Sequence, residues 1–208
     1  KPSIRAIIFD LGGVLIDWKR EHLYRKMFNG DPDVMANFLF RNDGKGYFKE
    51  VGLQAGIAYD YYGREQASMG VDCGDYDNDG RLDFFVTSYA QELSTLYHNL
   101  GYGIFEDATI ISRAGAGTLN DVTWGNGLFD FDNDGDIDCF IGTLQMQTNK
   151  LFTNNGDGTF TEITVGDIVT ENSNSTGNSW ADFDNDGDMD LYVCNTSNQN
   201  NFLYQNDN

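Results

Sequence analysis

Residues 130–138 read Asp130-Phe131-Asp132-Asn133-Asp134-Gly135-Asp136-Ile137-Asp138, and the same nine-residue pattern occurs at 75–83 and at 182–190. Each copy carries acidic side chains at loop positions 1, 3, 5 and 9 and a glycine at position 6. Carboxylates at every second position of a short loop repel one another unless a cation lies between them. A hard divalent cation with oxygen ligands is the expected occupant, so the sequence predicts three calcium sites.

The residues that follow each loop exclude an EF-hand. An EF-hand needs a bidentate Glu at loop position 12 and a helix after the loop. The corresponding residues here are Val86, Ile141 and Val193. The segments around them are apolar, aromatic and β-branched, which predicts strands. We therefore expect each acidic loop to connect two strands.

The predicted ligands are the side chains at positions 1, 3, 5 and 9 and the main-chain carbonyl at position 7. Position 7 is Arg in one copy and Asp in the others, which fits a backbone ligand, and the glycine at position 6 allows a sharp turn. The simpler alternative is a set of Asp/Asn/Gly turns that end strands in water. Three copies with one spacing favour the metal reading. The predicted ligand residues are Asp75, Asp77, Asp79, Arg81, Asp83, Asp130, Asp132, Asp134, Asp136, Asp138, Asp182, Asp184, Asp186, Asp188 and Asp190.

A second signature recurs with the loops. An aromatic-x-Asn tripeptide ends at Asn42, Asn99, Asn154 and Asn206, and a Gly-x-Gly turn follows the first three. The spacing between these asparagines, like that between the loops, is about 55 residues, so the two markers share one period. Such a unit has room for four antiparallel strands, which is the size of a propeller blade.

Residues 40–208 resemble FG-GAP/VCBS repeats, the calcium-loop blades of integrin α-subunit heads, and their Gly-x-Gly turns and Trp- and Gly-containing strands are similar to the ASPIC/UnbV-associated group. The resemblance implies β-propeller blades that calcium stiffens. We therefore expect an all-β fold of four-stranded antiparallel blades, a partial or open propeller of three repeats. Because closed propellers have about four to eight blades, the chain would be a fragment, an open array, or a protomer completed by neighbours.

Residues 1–39 are predicted to form a separate strand-turn-helix segment before the repeats at 40–208. The apolar run at 4–9 ends in Asp10 and resembles the first motif of haloacid-dehalogenase-like phosphatases, whose nucleophile would be Asp10. The acid expected two residues later is Gly12, and the downstream motifs have no room before residue 40. Phosphoryl transfer needs those groups. We therefore expect no enzyme and no catalytic residue.

The composition is strongly acidic. Asp and Glu number 33 against 13 Lys and Arg, for a net charge of −20, which disfavours nucleic acids and anionic membranes as partners. No apolar run reaches 18 residues, so no membrane insertion is expected. Asn174 and Asn195 fit the N-glycosylation pattern. Cys73, Cys139 and Cys194 are expected to be buried free thiols.

These features together predict a calcium-binding, extracellular or cell-surface module for binding, adhesion or assembly, in which three Ca²⁺ ions act structurally. Its ligand, a protein or a carbohydrate, is not specified by the sequence. We expect a homo-oligomer or part of a longer chain. One alternative is a filament subunit whose amino-terminal strand adds to the open edge of the next protomer. The other is a haloacid-dehalogenase-like phosphatase.

Overall fold

A computed structural model describes residues 6–8, by their backbone, and residues 39–207. The described chain folds into successive antiparallel sheets. An amino-terminal sheet contains β1 (Ala6–Ile8), β2 (Leu39–Asn42) and β3 (Phe48–Glu50), and blade 1 contains β4 (Val71–Gly74), β5 (Asp83–Val86), β6 (Thr95–Gly101) and β7 (Ile104–Asp107).

Two further blades follow. Blade 2 contains β8 (Thr123–Phe129), β9 (Asp138–Thr143), β11 (Lys150–Asn154) and β12 (Phe160–Ile163), with β10 (Gln147–Thr148) between its second and third strands. Blade 3 contains β14 (Ser175–Ala181), β15 (Asp190–Asn195) and β16 (Phe202–Tyr204), and β13 (Asn172–Ser173) before it pairs with β10. These sheets confirm the all-β fold of repeated antiparallel blades in an open array.

Short helices follow the last strand of three sheets. They are α1 (Gly52–Ala55), α2 (Thr109–Ser112) and α3 (Asp167–Thr170), and a 3-10 turn lies at Thr118–Asn120. The Gly-x-Gly turns connect β2 to β3, β6 to β7 and β11 to β12. Both glycines of each turn have positive φ, as at Gly156 (70°) and Gly158 (81°), which explains why the signature requires glycine there.

The strand β1 takes the place that β5 has in blade 1. Ile7 lies opposite Phe40, and Phe84 lies opposite Tyr97. Since Phe40 and Tyr97 occupy the same position of the aromatic-x-Asn signature, Ala6 stands where blade 1 carries Asp83. The strand expected in the amino-terminal segment is thus present at 6–8. Asp10 and the expected turn and helix lie outside the described residues, and the boundary at residue 39 stays a prediction.

Hydrophobic residues on alternate strand positions build a core between each pair of neighbouring sheets. On β9, Cys139 and Ile141 pack in the core shared with blade 1, whereas Phe140 packs in the core shared with blade 3. The strand is therefore buried along its whole length. On β15, Val193 faces blade 2 but Tyr192 is 41% exposed. One face of blade 3 is consequently open to solvent.

The cysteines correct one expectation. All of them are free thiols, but Cys139 is buried while Cys73 and Cys194 are exposed. Cys194 follows Val193 on β15 and so lies on the open face of blade 3. The expectation of buried thiols is therefore wrong for Cys73 and Cys194. Burial of each thiol depends on which face of its strand the residue occupies, and residue type alone does not predict that face.

Glycines allow the first strands of neighbouring blades to approach closely. A β-carbon on Gly70 would lie 2.3 Å from the carbonyl oxygen of Trp124, and one on Gly125 would lie 2.9 Å from the α-carbon of Gly177. No side chain fits at such distances. The Trp/Gly-containing segments noted in the sequence thus form the first strands of the blades, and their glycines lie where β4, β8 and β14 approach one another.

The asparagine of the aromatic-x-Asn signature joins the strands to the acidic loops. The buried Asn154 donates its side-chain amide to the carbonyl of Ile137 at 2.9 Å and to that of Tyr76, in the preceding blade, at 2.7 Å. Its backbone N–H donates to Asp138 at 2.8 Å. Asn206 repeats the contact, with its amide 2.8 Å from the carbonyl of Phe131. The two markers that share one period are thus in direct contact in the fold.

We expect Asn154→Ala to destabilise the fold by about 1 to 3 kcal/mol, because two carbonyls would lose their amide donor in a buried setting. Denaturant unfolding at fixed calcium concentration measures the change. Asn155→Ala is the matched control: Asn155 is exposed, so its loss should cost less than about 0.5 kcal/mol. Equal costs for the two variants would contradict a role for the signature asparagine between blades.

Candidate functional site

Each acidic loop lies between the first two strands of a blade, as expected from the sequence. We name them loop 1 (75–83), loop 2 (130–138) and loop 3 (182–190). The structure brings carboxylates together in each of them, with ligand atoms within 4.8 Å of one another. The groups are Asp75, Asp77 and Asp79 in loop 1, Asp130, Asp132 and Asp138 in loop 2, and Asp182, Asp184 and Asp190 in loop 3.

Backbone amides hold the carboxylate at loop position 1. In loop 2, Asp130 accepts hydrogen bonds from the N–H groups of Asp134 at 3.2 Å and Gly135 at 2.9 Å. The chain curls because Asn133 has φ of 59° and Gly135 has φ of 95°. A β-carbon on Gly135 would meet no atom within 4 Å. Glycine is therefore required at position 6 by the backbone conformation and not by crowding.

The carboxylate at position 9 is buried in every loop. Asp83 and Asp138 are 0% exposed and Asp190 is 2% exposed. Asp138 accepts hydrogen bonds from the N–H groups of Phe131 at 3.0 Å and Asn154 at 2.8 Å. These bonds lower its pKa, but burial outweighs them and raises it to about 7. Burial likewise raises the pKa of Asp83 to about 6. A nearby cation would keep these buried groups ionised.

Position 7 has a side-chain role that the sequence did not reveal. Asp136 in loop 2 accepts a hydrogen bond from the side-chain amide of Asn78 in loop 1 at 2.6 Å. Asp188 in loop 3 accepts the same bond from Asn133 in loop 2 at 2.7 Å. Position 4 of one loop is therefore joined to position 7 of the next. The proposed ligation by the position 7 carbonyl stays a prediction.

Arg81 occupies position 7 of loop 1, and residues 1–74 contain no further acidic loop of this pattern. Its Nε donates to the carbonyl of Asn99 at 2.6 Å. Its guanidinium pairs with Asp79, a predicted ligand of the same loop. Arg81 thus bonds within its own blade instead of with another loop, and it gives loop 1 a different electrostatic environment.

A further residue beside each loop was missed by sequence reasoning. The middle residue of the aromatic-x-Asn signature contacts the acid at position 3. Thr153 lies 3.4 Å from Asp132 and Gln205 donates to Asp184 at 2.7 Å. Pairing the strand that follows the acidic loop with the strand of the aromatic-x-Asn signature would have identified this residue, because alternate residues of one strand point to the same side.

The donor set of the loops fits a calcium ion. It consists of clustered carboxylate oxygens on a tightly turned backbone, with the deepest acid buried. Hard dications such as Ca²⁺ prefer oxygen ligands of this kind. The side chains beside position 3, Thr153 and Gln205, each contact one of these carboxylates from outside, as supporting groups around a metal site commonly do.

The two glycosylation sequons lie at partly buried positions. Asn195 donates its side-chain amide to the carbonyl of Asn200 at 2.8 Å. The amide of Asn174 contacts the sulfur of Met146 at 3.3 Å. Use of these sites stays a prediction.

Comparisons with known proteins agree with this architecture. Cartilage acidic protein 1 of Mus musculus, Homo sapiens and Xenopus tropicalis is 27% identical over 172 residues, which is 78% of this chain and 25% of each relative. The chain therefore spans about a quarter of the length of these relatives.

One solved structure shares the fold. It is that of an Agrocybe aegerita lectin described for specific recognition of non-reducing terminal N-acetylglucosamine, with a TM-score of 0.50 and 22% identity, covering 77% of this chain and 42% of the lectin. Within the described residues, no helix has the length and apolar character needed to cross a membrane.

The family model of the FG-GAP-like repeat matches residues 28–86 and 130–193. This covers more than half of the 208 residues, and the chain belongs to the FG-GAP-like repeat family.

Proposed function

We propose that this chain is a calcium-binding repeat module for binding or adhesion outside the cell, in which calcium acts on the structure. The observation that carries the proposal is the repeated meeting of three carboxylates in every acidic loop. Clustered, partly buried carboxylates destabilise a fold when they are charged and uncompensated. A bound dication would turn this repulsion into attraction at three successive places in the array.

The chain's own residues would transmit that effect between blades. The position 9 acid accepts hydrogen bonds from its own loop and from the third strand of its blade, as Asp138 does from Phe131 and Asn154. The amide of Asn78 then bonds Asp136 in the next loop. Calcium supplies the positive charge when it is bound. Ordering of one loop would therefore also order its neighbour.

An extracellular setting and a binding role fit the relatives and the charge. The chain is similar to cartilage acidic protein 1. Extracellular modules commonly bind calcium with Kd values of about 0.1 to 1 mM, a range that exposed carboxylate loops suit. The net charge of −20 would remain about −14 with three ions bound, which opposes binding to nucleic acids and anionic membranes. The ligand would be a protein or a carbohydrate.

We propose no enzymatic role. The phosphatase alternative depends on Asp10, and the segment around it lacks the downstream motifs that phosphoryl transfer requires. The filament alternative needs a free amino-terminal strand. That strand, β1, pairs with β2 of the same chain, so the structure favours the single module. A neighbouring blade or copy would bind through another surface, such as the open face of blade 3.

Chelation should lower the melting temperature, and millimolar calcium should restore it. A site held at about 10 times its Kd adds about 1.4 kcal/mol to stability, so losing one site should lower Tm by roughly 3 to 6 °C. Calorimetric titration should give three calcium ions per chain. Magnesium at equal concentration is the control and should restore less, because it requires a stricter geometry. An unchanged melting curve in excess chelator would refute the calcium role.

Two substitutions that remove one negative charge each should differ in effect. Asp134→Asn removes a proposed ligand and should weaken calcium binding in loop 2 by about tenfold or more. Asp136→Asn keeps the main-chain carbonyl and an oxygen that can accept from Asn78, so its effect should stay below about threefold. Calorimetric titration compares them. Equal losses would contradict the main-chain ligand at position 7.

The slope of stability against pH should depend on calcium. In chelator, Asp138 binds its proton more tightly in the folded state, with a pKa of about 7 against an ordinary 3.8. Its contribution is fully present below about pH 4 and is lost as pH rises to about 7. Bound calcium requires ionised carboxylates, so with calcium stability should rise over the same range. Melting temperatures are measured across this pH range. The same slope of melting temperature against pH with and without calcium would contradict this prediction.

A further inference from the structure

A histidine lies beside loop 1, and the other two loops have no histidine at the corresponding position. His98 lies on β6, in the middle of the aromatic-x-Asn signature. Its Nδ1 lies 3.3 Å from a carboxylate oxygen of Asp77 and 3.4 Å from one of Asp83. Ligand atoms of these three residues lie within 4.8 Å of one another. His98, Asp77 and Asp83 thus bring one nitrogen and two oxygen donors to a common point.

The nitrogen of His98 is buried and aimed at this point. Its side chain is 16% exposed, and Nδ1 is inaccessible to solvent and makes no hydrogen bond of acceptable geometry. Buried polar atoms normally have a partner. The Tyr76 ring meets the imidazole edge-on, with centroids 5.8 Å apart, so the ring is held in place. The unsatisfied nitrogen therefore indicates that a cation can bind between it and the two carboxylates.

The supporting contacts of this cluster are also in place. Asp83 accepts hydrogen bonds from the N–H groups of Asn99 at 2.7 Å and Tyr76 at 3.2 Å. Such outer hydrogen bonds orient metal-binding carboxylates. Arg81 meanwhile pairs with Asp79. The arginine therefore engages one acid of loop 1 and leaves Asp77 and Asp83 beside the imidazole.

The corresponding residues in blades 2 and 3 are Thr153 and Gln205. A hydroxyl or an amide provides no imidazole-type nitrogen donor. In loops 2 and 3 the position 9 acid groups with positions 1 and 3, whereas in loop 1 Asp83 groups with Asp77 and His98. The repeats are thus chemically unequal.

We propose that Asp77, Asp83 and His98 form a zinc site, and that loop 1 binds Zn²⁺ in preference to Ca²⁺. The proposal rests on the proposed function in taking the acidic loops as cation sites. Imidazole nitrogen and carboxylate oxygen are both zinc ligands, whereas calcium takes oxygen. Three protein ligands leave a fourth zinc position for water or for a group from a binding partner.

The test is calorimetric titration with zinc chloride on the full chain, without calcium and with saturating calcium. Wild type should bind one zinc ion tightly, and bound zinc should lower the calcium stoichiometry from three to two. His98→Thr and His98→Gln, which install the residues of blades 2 and 3, should weaken zinc binding by at least about tenfold. Their calcium stoichiometry should remain three. Thr153→His should create a second zinc site in loop 2.

The sequence offers a matched control, since His22 is the other of its two histidines. His22→Gln should leave zinc affinity unchanged. Imidazole NMR signals of the wild type give a second readout that does not depend on folding of the variants. Zinc should shift the signals of His98 and not those of His22.

The outcomes separate the two proposals. Three calcium ions bound without a zinc ion, or zinc affinity unchanged in both His98 variants, would overturn the zinc site alone. Such a result would mean that His98 contacts the two carboxylates without binding a metal ion. Failure of both ions to bind would overturn the calcium proposal as well.

Discussion

The buried carboxylate at loop position 9 is the constraint on which the array depends. Asp138 is inaccessible to solvent and yet accepts two backbone hydrogen bonds, one from its own loop and one from the third strand of its blade. A carboxylate placed there fixes the loop against the sheet, but burial makes its charge expensive. The position 9 acid therefore fixes the local geometry of the blade, and a cation would offset the free-energy cost of its buried charge.

Contacts between blades are built from the same few residues. The signature asparagine reaches the preceding loop, as Asn154 reaches Tyr76, and position 4 reaches position 7 of the following loop. Between these polar contacts lie the hydrophobic cores, in which alternate residues of one strand serve two neighbours. Each blade is thus incomplete without an adjacent one, which is the usual energetic arrangement of repeat proteins.

The sequence predicted those parts of the structure that depend on local chemistry. Loop spacing, strand alternation and Gly-x-Gly turns were sufficient for the blade and for the carboxylate clusters. The pairing of β1 with β2 was out of reach, because 30 residues separate these strands and tertiary packing selects the partner. The four-residue helices were too short to show periodicity. The role of Asp136 was missed because its partner, Asn78, belongs to another repeat.

The amide-to-carboxylate bonds between loops give the array a direction. Each bond runs from a donor at position 4 to an acceptor at position 7 of the following loop, as from Asn133 to Asp188. Loop 1 carries Arg81 in the acceptor place, and a guanidinium cannot accept a hydrogen bond from an amide. A preceding loop of this kind would need a different contact to join loop 1, for example one in which Arg81 donates. The two ends of the series are therefore not chemically equivalent.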